Sequence, residues 1–424
     1  MFRLPLLQQA LRGMAHIQFT QVLSHGCGMD IHKEVVVATV MGNGFQQETR
    51  TFNTFTSSLT ELREWLVSLN VTHVAMESTG VYWKPIYNVF EGHIRHIWIV
   101  NARHIKNVPG HKTDKNDSEW ICKLLMAGLL KPSFVPPREQ RELRDLTRYR
   151  RKLINEVSAN KNRIIRTLED GNVKLSSVLS DTSGKTGTRL IDMLCDGDQL
   201  TLEQVDAVRS KRCRHTAEEM LDACTGCMTP HKVYLLQQIR ECNKDLQKRI
   251  SELDAQIKDR LAPYSEVMDR LCEIPGIQNR VCEELIAEIG LDMSVFPTAE
   301  HLCSWAALCP GNNESAGKKK SSRTNHGDKH LRATLVEAAW AASRTKGTFF
   351  MERFGRMAQK KGTKRALIAV AHSMLKSIYF VLSTGGRYHE LGEQYVPEKK
   401  EKQRKDYLKA ELKKLGYKVT LVKE

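Results

Sequence analysis

The chain has no uninterrupted run approaching the ~20 apolar residues needed to cross a bilayer, so no membrane span or membrane partner is expected. Its start, Met1-Phe2-Arg3-Leu4-Pro5-Leu6-Leu7, lacks an apolar core followed by a small-residue cleavage site, so residues 1–24 read as an extension rather than a signal peptide. The 11 cysteines show no disulfide-framework rhythm, which suits a reducing cytoplasm. Cys224-Thr225-Gly226-Cys227, with Cys213, His215 and His231 nearby, supplies zinc-type ligands but lacks the second Cys-x-x-Cys of a zinc module. Acid is scarce relative to base: 49 Asp+Glu against 65 Lys+Arg leave a net charge of +16. An excess of that size is an argument about partners, and nucleic acid is the first of them.

What is present is too long for one core: 424 residues imply two or three domains. The most informative stretch is Gly110-His111-Lys112-Thr113-Asp114-Lys115-Asn116-Asp117, which runs into the apolar-periodic Trp120, Ile121, Leu124, Leu125 and Leu129. A helix beginning near Thr113 sets Asp114 and Asp117 on one face. Lys112, Lys115 and other cations crowd this pair, as expected where carboxylates and metal meet a polyanion.

Upstream, Cys27–Ile31 and the β-branched Val35–Val40 read as a strand hairpin turning at His32-Lys33-Glu34. A strand at Thr49–Asn53, a helix through Leu59, Leu62, Leu66 and Leu69, a strand at Val71–Met76, a helix near Tyr82–Phe90 and a strand at His93–Val100 follow. This order predicts a mixed sheet flanked by helices. Asp30 lies within the first strand, where an unpaired carboxylate is costly, and Glu77 ends a later one. Oxygen ligands delivered by several elements suit Mg²⁺ or Mn²⁺, and two such ions can stabilise both the attacking and the leaving oxygen at a phosphodiester.

From Pro136 the composition shifts to charged helix. Leu143, Leu146, Arg150, Leu153, Val157, Asn160 and Ile164 form one seam; Leu236, Ile239, Asn243, Leu246, Ile250, Leu253 and Ile257 form another. This spacing predicts a coiled coil, and dimerisation through it is favoured over an intramolecular antiparallel pair. Arg144, Arg148 and Arg151 belong to a basic face expected along a nucleic acid backbone. Leu271–Ile277 and the periodic segment from Val281 to Ile289 read as a helix-hairpin-helix, whose turn amides can hold a phosphate. A polar loop, Asn312–Arg323, carries Ser315, Ser321 and Ser322 among cations; a serine there could attack a phosphodiester, and the residues alone leave the choice among the three open.

Gly28-Met29-Asp30-Ile31-His32-Lys33, Met76-Glu77-Ser78-Thr79-Gly80 and Lys112-Thr113-Asp114-Lys115-Asn116-Asp117 resemble the three catalytic motifs of the DEDD insertion-sequence transposases. These are the bridge-RNA-guided serine recombinases of the IS110 class, to which certain site-specific invertases are related. Ser315-Ala316-Gly317, followed by Gly327 and by Leu331-Arg332, is similar to that family's C-terminal transposase domain, which holds the nucleophilic serine. The resemblance implies a RuvC-like RNase H fold for residues 25–135, with Asp30, Glu77, Asp114 and Asp117 as catalytic ligands of Mg²⁺ or Mn²⁺. It implies Ser315 as nucleophile, with Lys318, Lys319, Lys320, Arg323, Lys329 and Arg332 contacting phosphates.

The expected architecture is therefore α/β plus α: extension 1–24, catalytic domain 25–135, coiled coil with a helical insert 136–262, helical transposase domain 263–385 and basic tail 386–424. The expected function is a transposase of an insertion sequence, acting on target and donor DNA through a phosphoserine intermediate and a Holliday junction. The resemblance further implies a guide RNA from the element's flank, a dimer or tetramer, and work at the nucleoid in a bacterial cytoplasm. The alternative is a RuvC-like metal-dependent junction nuclease without a covalent intermediate.

Overall fold

The computed structural model describes residues 22–44, 46–78, 80–101, 114–197, 200–310, 313–315, 318–321, 324, 327–392 and 394–417, with side chains for all but 114–116, 313–315, 318–321 and 396–404. The chain divides into two compact units, Met1–Val135 and Pro136–Glu424.

The first unit is built on a five-stranded sheet of order β3-β2-β1-β4-β5. Strands β1 (His25–Ile31) and β2 (Val35–Gly42) form an antiparallel hairpin, closed where the His32 amide donates to the Val35 carbonyl at 2.9 Å. Strand β3 (Glu48–Asn53) adds antiparallel to β2. Helix α1 (Thr56–Ser68) leads to β4 (His73–Glu77), parallel to β1; helix α2 (Trp83–Phe90) leads to β5 (His96–Val100), parallel to β4.

Alternation along the strands gives the sheet two faces. Met29, Val36, Ala38, Val74 and Met76 share a core with Leu59, Leu62, Leu66, Ile86 and Phe90. The opposite face, represented by Ala75, packs on Ile121, Leu124 and Leu125 of α3 (Asp114–Met126). This mixed sheet, covered on both faces, is compatible with the RuvC-like fold expected for the region.

In the second unit, α4 (Arg138–Asp170) is followed by four shorter helices, α5 (Leu175–Val178), α6 (Lys185–Asp196), α7 (Leu202–Val208) and α8 (Ala217–Cys224), and then by α9 (Pro230–Leu261). Helices α4 and α9 lie antiparallel: Asp170 pairs with Lys232 at 3.1 Å, Arg150 with Asp254 at 2.8 Å and Glu142 with Arg260 at 3.1 Å. Leu153, Val157 and Leu246 pack between them with Ile250 and Leu253. The two seams thus meet each other inside one chain, where the sequence favoured a dimerising coil. The helices between them reverse the chain, and a tethered partner outcompetes a second copy through its effective concentration.

The insert has a core of its own, with Leu175, Leu190, Val205 and Met220 around Ile164, Leu168 and Leu236. Cys224 belongs to that core and Cys227 is exposed; among the described residues no three His, Cys, Asp or Glu side chains gather as a metal would require, so the zinc-type ligands do not assemble.

The chain continues through α10 (Ser265–Cys272), α11 (Asn279–Ile289), α12 (Ala299–Trp305), the hairpin β6 (Asn313–Ser315) and β7 (Lys318–Ser321), then α13 (Lys329–Ala342), α14 (Phe349–Lys361), α15 (Thr363–Thr384) and α16 (Tyr395–Lys414). Gly276, in the turn between α10 and α11, has φ +85°, and a Cβ there would lie 2.4 Å from the Ala338 carbonyl oxygen. The observed role of this turn is close packing on α13.

One described helix, the 22-residue α15, is long and apolar enough by composition to cross a membrane, although Lys364, Arg365, His372 and Lys376 interrupt its apolar positions. Its apolar positions Val370, Met374, Leu375 and Ile378 are instead buried in the second unit.

Candidate active site

Register brings two acids of the first unit, Asp30 and Glu77, to one end of the sheet. Gly28 of β1 pairs with Ala75 of β4, and Met29 with Met76, so Asp30 and Glu77 follow one step later at the C-terminal ends of adjacent parallel strands. Because Ala75 faces α3, Glu77, two residues on, faces the same way.

On β1 the glycines mark that face. A Cβ on Gly26 would lie 2.7 Å from Met126 Sδ, and one on Gly28 would lie 2.3 Å from the Cys122 nitrogen and 2.4 Å from the Ser118 oxygen. Helix α3 therefore runs antiparallel to β1 in direct backbone contact, with its N-terminal turn directed toward Asp30. That turn carries Asp114 and Asp117. Ser118 Oγ bonds to buried Thr39 Oγ1 at 2.8 Å, and Thr39 to Thr49 at 2.9 Å, which pins the helix to β2 and β3.

Cys122 thiol donates to the Gly26 carbonyl, and its burial pushes its pKa up to about 12, so it serves packing rather than nucleophilic chemistry. Asp30 is 14 % exposed, and its Oδ2 lies 3.2 Å from His32 Nε2.

Carboxylate oxygens are the donors that Mg²⁺ and Mn²⁺ take, and three elements deliver them to one end of the sheet, so the donor set fits a divalent ion. Among the described residues no three acidic, His or Cys side chains converge on one metal-sized point. The Asp114 and Lys115 side chains, and Lys112 and Arg323 altogether, lie outside the described residues.

In the second unit, three arginines expected on nucleic acid are engaged inside the protein. Arg148 donates from Nε and Nη2 to the two carboxylate oxygens of Glu288, at 2.7 Å each, and from Nη2 to Asp328 at 3.1 Å. Arg144 donates to the Ala287 and Glu288 carbonyls, and its Nε lies 3.3 Å from the Glu288 carboxylate. Arg151 pairs with Glu337 at 2.7 Å. The cause is α11, which buries Glu284 and Glu288, and a buried carboxylate demands a cation.

Fully buried Arg150 adds bonds to Asp254 and Glu283, so α4 is stapled both to α9 and to the C-terminal helices, across the expected boundary at residue 262. Burial pushes the Glu288 carboxyl above its ordinary value even beside Arg148, and pulls Arg144 below its own. For Arg150 alone a signal was in the sequence: an arginine at a seam position needs a buried partner.

The segment read as a loop is a two-stranded hairpin in which Ser315 pairs with Lys318 and Glu314 with Lys319. A bridge between Pro310 and Thr324 closes its base, and Arg332 Nη1 donates to Thr324 Oγ1 at 2.9 Å. Gly327 then packs on Trp305 and Ala307, and Asp328 caps α13 by accepting from the His330 and Leu331 amides at 2.8 and 2.9 Å. The hairpin therefore stands at the start of α13. The side chains of Ser315 and Lys318–Lys320 lie outside the described set. Lys329 and His330 line a cleft of about 290 Å³ with Arg151, Lys152 and Asn155.

Comparison with known proteins meets this geometry from another side. Residues 27–172 match a DEDD-type family model described as transposase, and residues 268–353 match one described as transposase of the IS116/IS110/IS902 family. The pilin gene-inverting protein of Moraxella bovis is 24 % identical over 367 residues, 84 % of this chain and 94 % of that protein; that of Moraxella lacunata is 24 % identical over the same length. A protein of Pseudomonas aeruginosa named "Probable family 20 transposase" is 23 % identical over 288 residues, 67 % of this chain and 75 % of its own.

The protein is an enzyme that acts on DNA, a transposase or recombinase. More closely, the chain belongs to the IS110-class DEDD transposases.

Proposed function

We propose that the chain is a metal-assisted serine transposase: Asp30, Glu77, Asp114 and Asp117 hold Mg²⁺ or Mn²⁺, and Ser315 is the nucleophile. The observation that supports this most is the register pairing β1 with β4, which sets Asp30 beside Glu77 on the face covered by α3. When bound, the ions would stabilise charge on the phosphate oxygens. Ser315 Oγ attacks phosphorus, the bond to the sugar oxygen breaks, and the hydroxyl proton ends on that departing oxygen. Attack by a second sugar hydroxyl reverses the step and releases the serine, so strands are exchanged without an external energy source.

Lys318–Lys320, Arg323 and Lys329 contact phosphates, and Lys112 and Lys115 do so near the acids. Arg332 supports the hairpin through Thr324. Strand exchange requires several coordinated cuts, hence two or more copies of the chain. A guide RNA from the element's flank pairs with target and donor, leaving the protein to hold backbones.

The test is incubation of the protein with Mg²⁺, flank RNA and labelled element-end DNA, read by denaturing gel and mass spectrometry. A DNA adduct on Ser315, absent in Ser315→Ala and in Asp30→Ala, is expected, and omission of the RNA should abolish it. Cleavage without an adduct, unchanged in Ser315→Ala, would replace this mechanism with hydrolysis by a junction nuclease.

A further inference from the structure

The insert after residue 172 lies between the two segments matched by the family models, and none of the chemistry above uses it. It contains the larger of the two clefts described in the second unit, about 710 Å³, within the ~300–1,000 Å³ of ligand clefts. Its lining includes Ser176, Ser180 and Lys185, the last at the start of α6, together with Ser210, Arg212 and Arg214.

The charge of this cleft is one-sided. Asp181 is the lining acid, and its Oδ1 already accepts from the Ser183 amide at 2.9 Å. His215 is tied through Nδ1 to Glu219 at 2.9 Å. Lys185, Arg212 and Arg214 form no ion pair among the described residues, whereas Arg148 and Arg150 of α4 hold Glu288 and Glu283. Like charges crowded into one concavity repel, and a polyanion relieves them while benefiting from the focused potential.

Cations, serine hydroxyls and the first amides of a helix are the donors that take phosphate oxygens, and the first turn of α6 has no side-chain cap competing for its amides. The lining contains no Phe, Tyr or Trp on which a base could stack, which favours the sugar-phosphate backbone over the bases.

We propose that this cleft is a second nucleic-acid grip, binding the phosphodiester backbone of a strand through Lys185, Arg212 and Arg214. The proposal rests on the reading that the chain handles nucleic acid, and adds a site remote in sequence from the acids and the serine.

The test is the full chain carrying Lys185→Ala, Arg212→Ala and Arg214→Ala together, titrated by fluorescence anisotropy with labelled single-stranded RNA, single-stranded DNA and duplex DNA over a range of salt. Loss of three phosphate contacts should flatten the logarithmic salt slope by about 2, so wild-type affinity falls roughly 20-fold more than the variant's between ~50 and ~200 mM salt. The three side chains are exposed, and the variant should melt with the wild type. Ser180→Asp, which adds an anion to the wall, should weaken binding in the same direction.

The probe whose slope flattens identifies the bound strand as RNA or DNA. Wild-type slopes retained by both variants on all three probes would overturn the cleft while leaving the transposase reading intact. A wild type that binds none of the probes would overturn both.

Discussion

At the scale of the residue, the first unit turns on the absence of one methyl group. Helix α3 lies so close to β1 that a Cβ on Gly28 would sit 2.3 Å from a backbone nitrogen, an atom that cannot move aside as a side-chain tip can. Gly28→Ala is expected to destabilise the fold by about 1–3 kcal/mol and to reduce DNA cleavage more than DNA binding. Thermal melting and a cleavage assay check this; an unchanged melt and unchanged cleavage would mean that the helix does not need its close seat.

Glu288 offers a second test at this scale. Burial raises its folded pKa above the unfolded value, so the folded state holds the proton more tightly. By linkage, this group's contribution declines as pH rises from the ordinary carboxyl range through the raised folded value. Glu288→Gln, which removes the titrating group, should lack that decline in denaturant titrations. Glu288→Ala, which leaves Arg148 with Asp328 alone and Arg144 with its backbone carbonyls, should cost about 3 kcal/mol. Unchanged stability in the alanine variant would contradict the pairing described here.

At the scale of the element, helix starts and strand faces decide where chemistry can be held. Asp328 has two jobs, capping α13 through Oδ1 and pairing with Arg148 through Oδ2. Asp328→Asn should keep the cap and lose the charge pair; Asp328→Ala should lose both. The difference in their stabilities is expected to be about 1 kcal/mol, the worth of the cap. Because α13 starts just after the hairpin carrying Ser315, the alanine variant should also form less of the proposed adduct; full adduct yield would separate the cap from the chemistry.

The elements themselves were unevenly legible. Strands β1 to β5 and helices α1 to α3 follow from β-branched runs, alternation and apolar spacing, and they emerge close to the expected limits. The hairpin β6–β7 did not, because Asn313–Ser321 is polar at nearly every position and its pairing rests on backbone bonds that leave no side-chain period. Arg144, Arg148 and Arg151 read as a basic face along a nucleic acid backbone, since nothing local says that α11 will bring buried acids against them.

At the scale of the whole molecule, the net charge of +16 sets expectations for binding. Affinity for duplex DNA should fall linearly in log–log plots against salt, as counterion release requires, and a salt-insensitive affinity would contradict backbone-dominated contact. Chelation by EDTA should abolish cleavage and leave this binding in place; cleavage that persists in EDTA would remove the metal from the mechanism.

By itself the sequence determined the order of strands and helices in the first unit, and it proposed the acids at Asp30, Glu77, Asp114 and Asp117, the serine motif and an anionic partner. These depend on local propensity, on side-chain period and on residue identity, all of which are written along the chain. Only the tertiary structure decided that the two seams close on each other, that the arginines of α4 face buried acids, and that the insert encloses a basic cleft. Each of these joins residues far apart in sequence, and a periodic face or a charge states that it needs a partner without naming which one folding will bring.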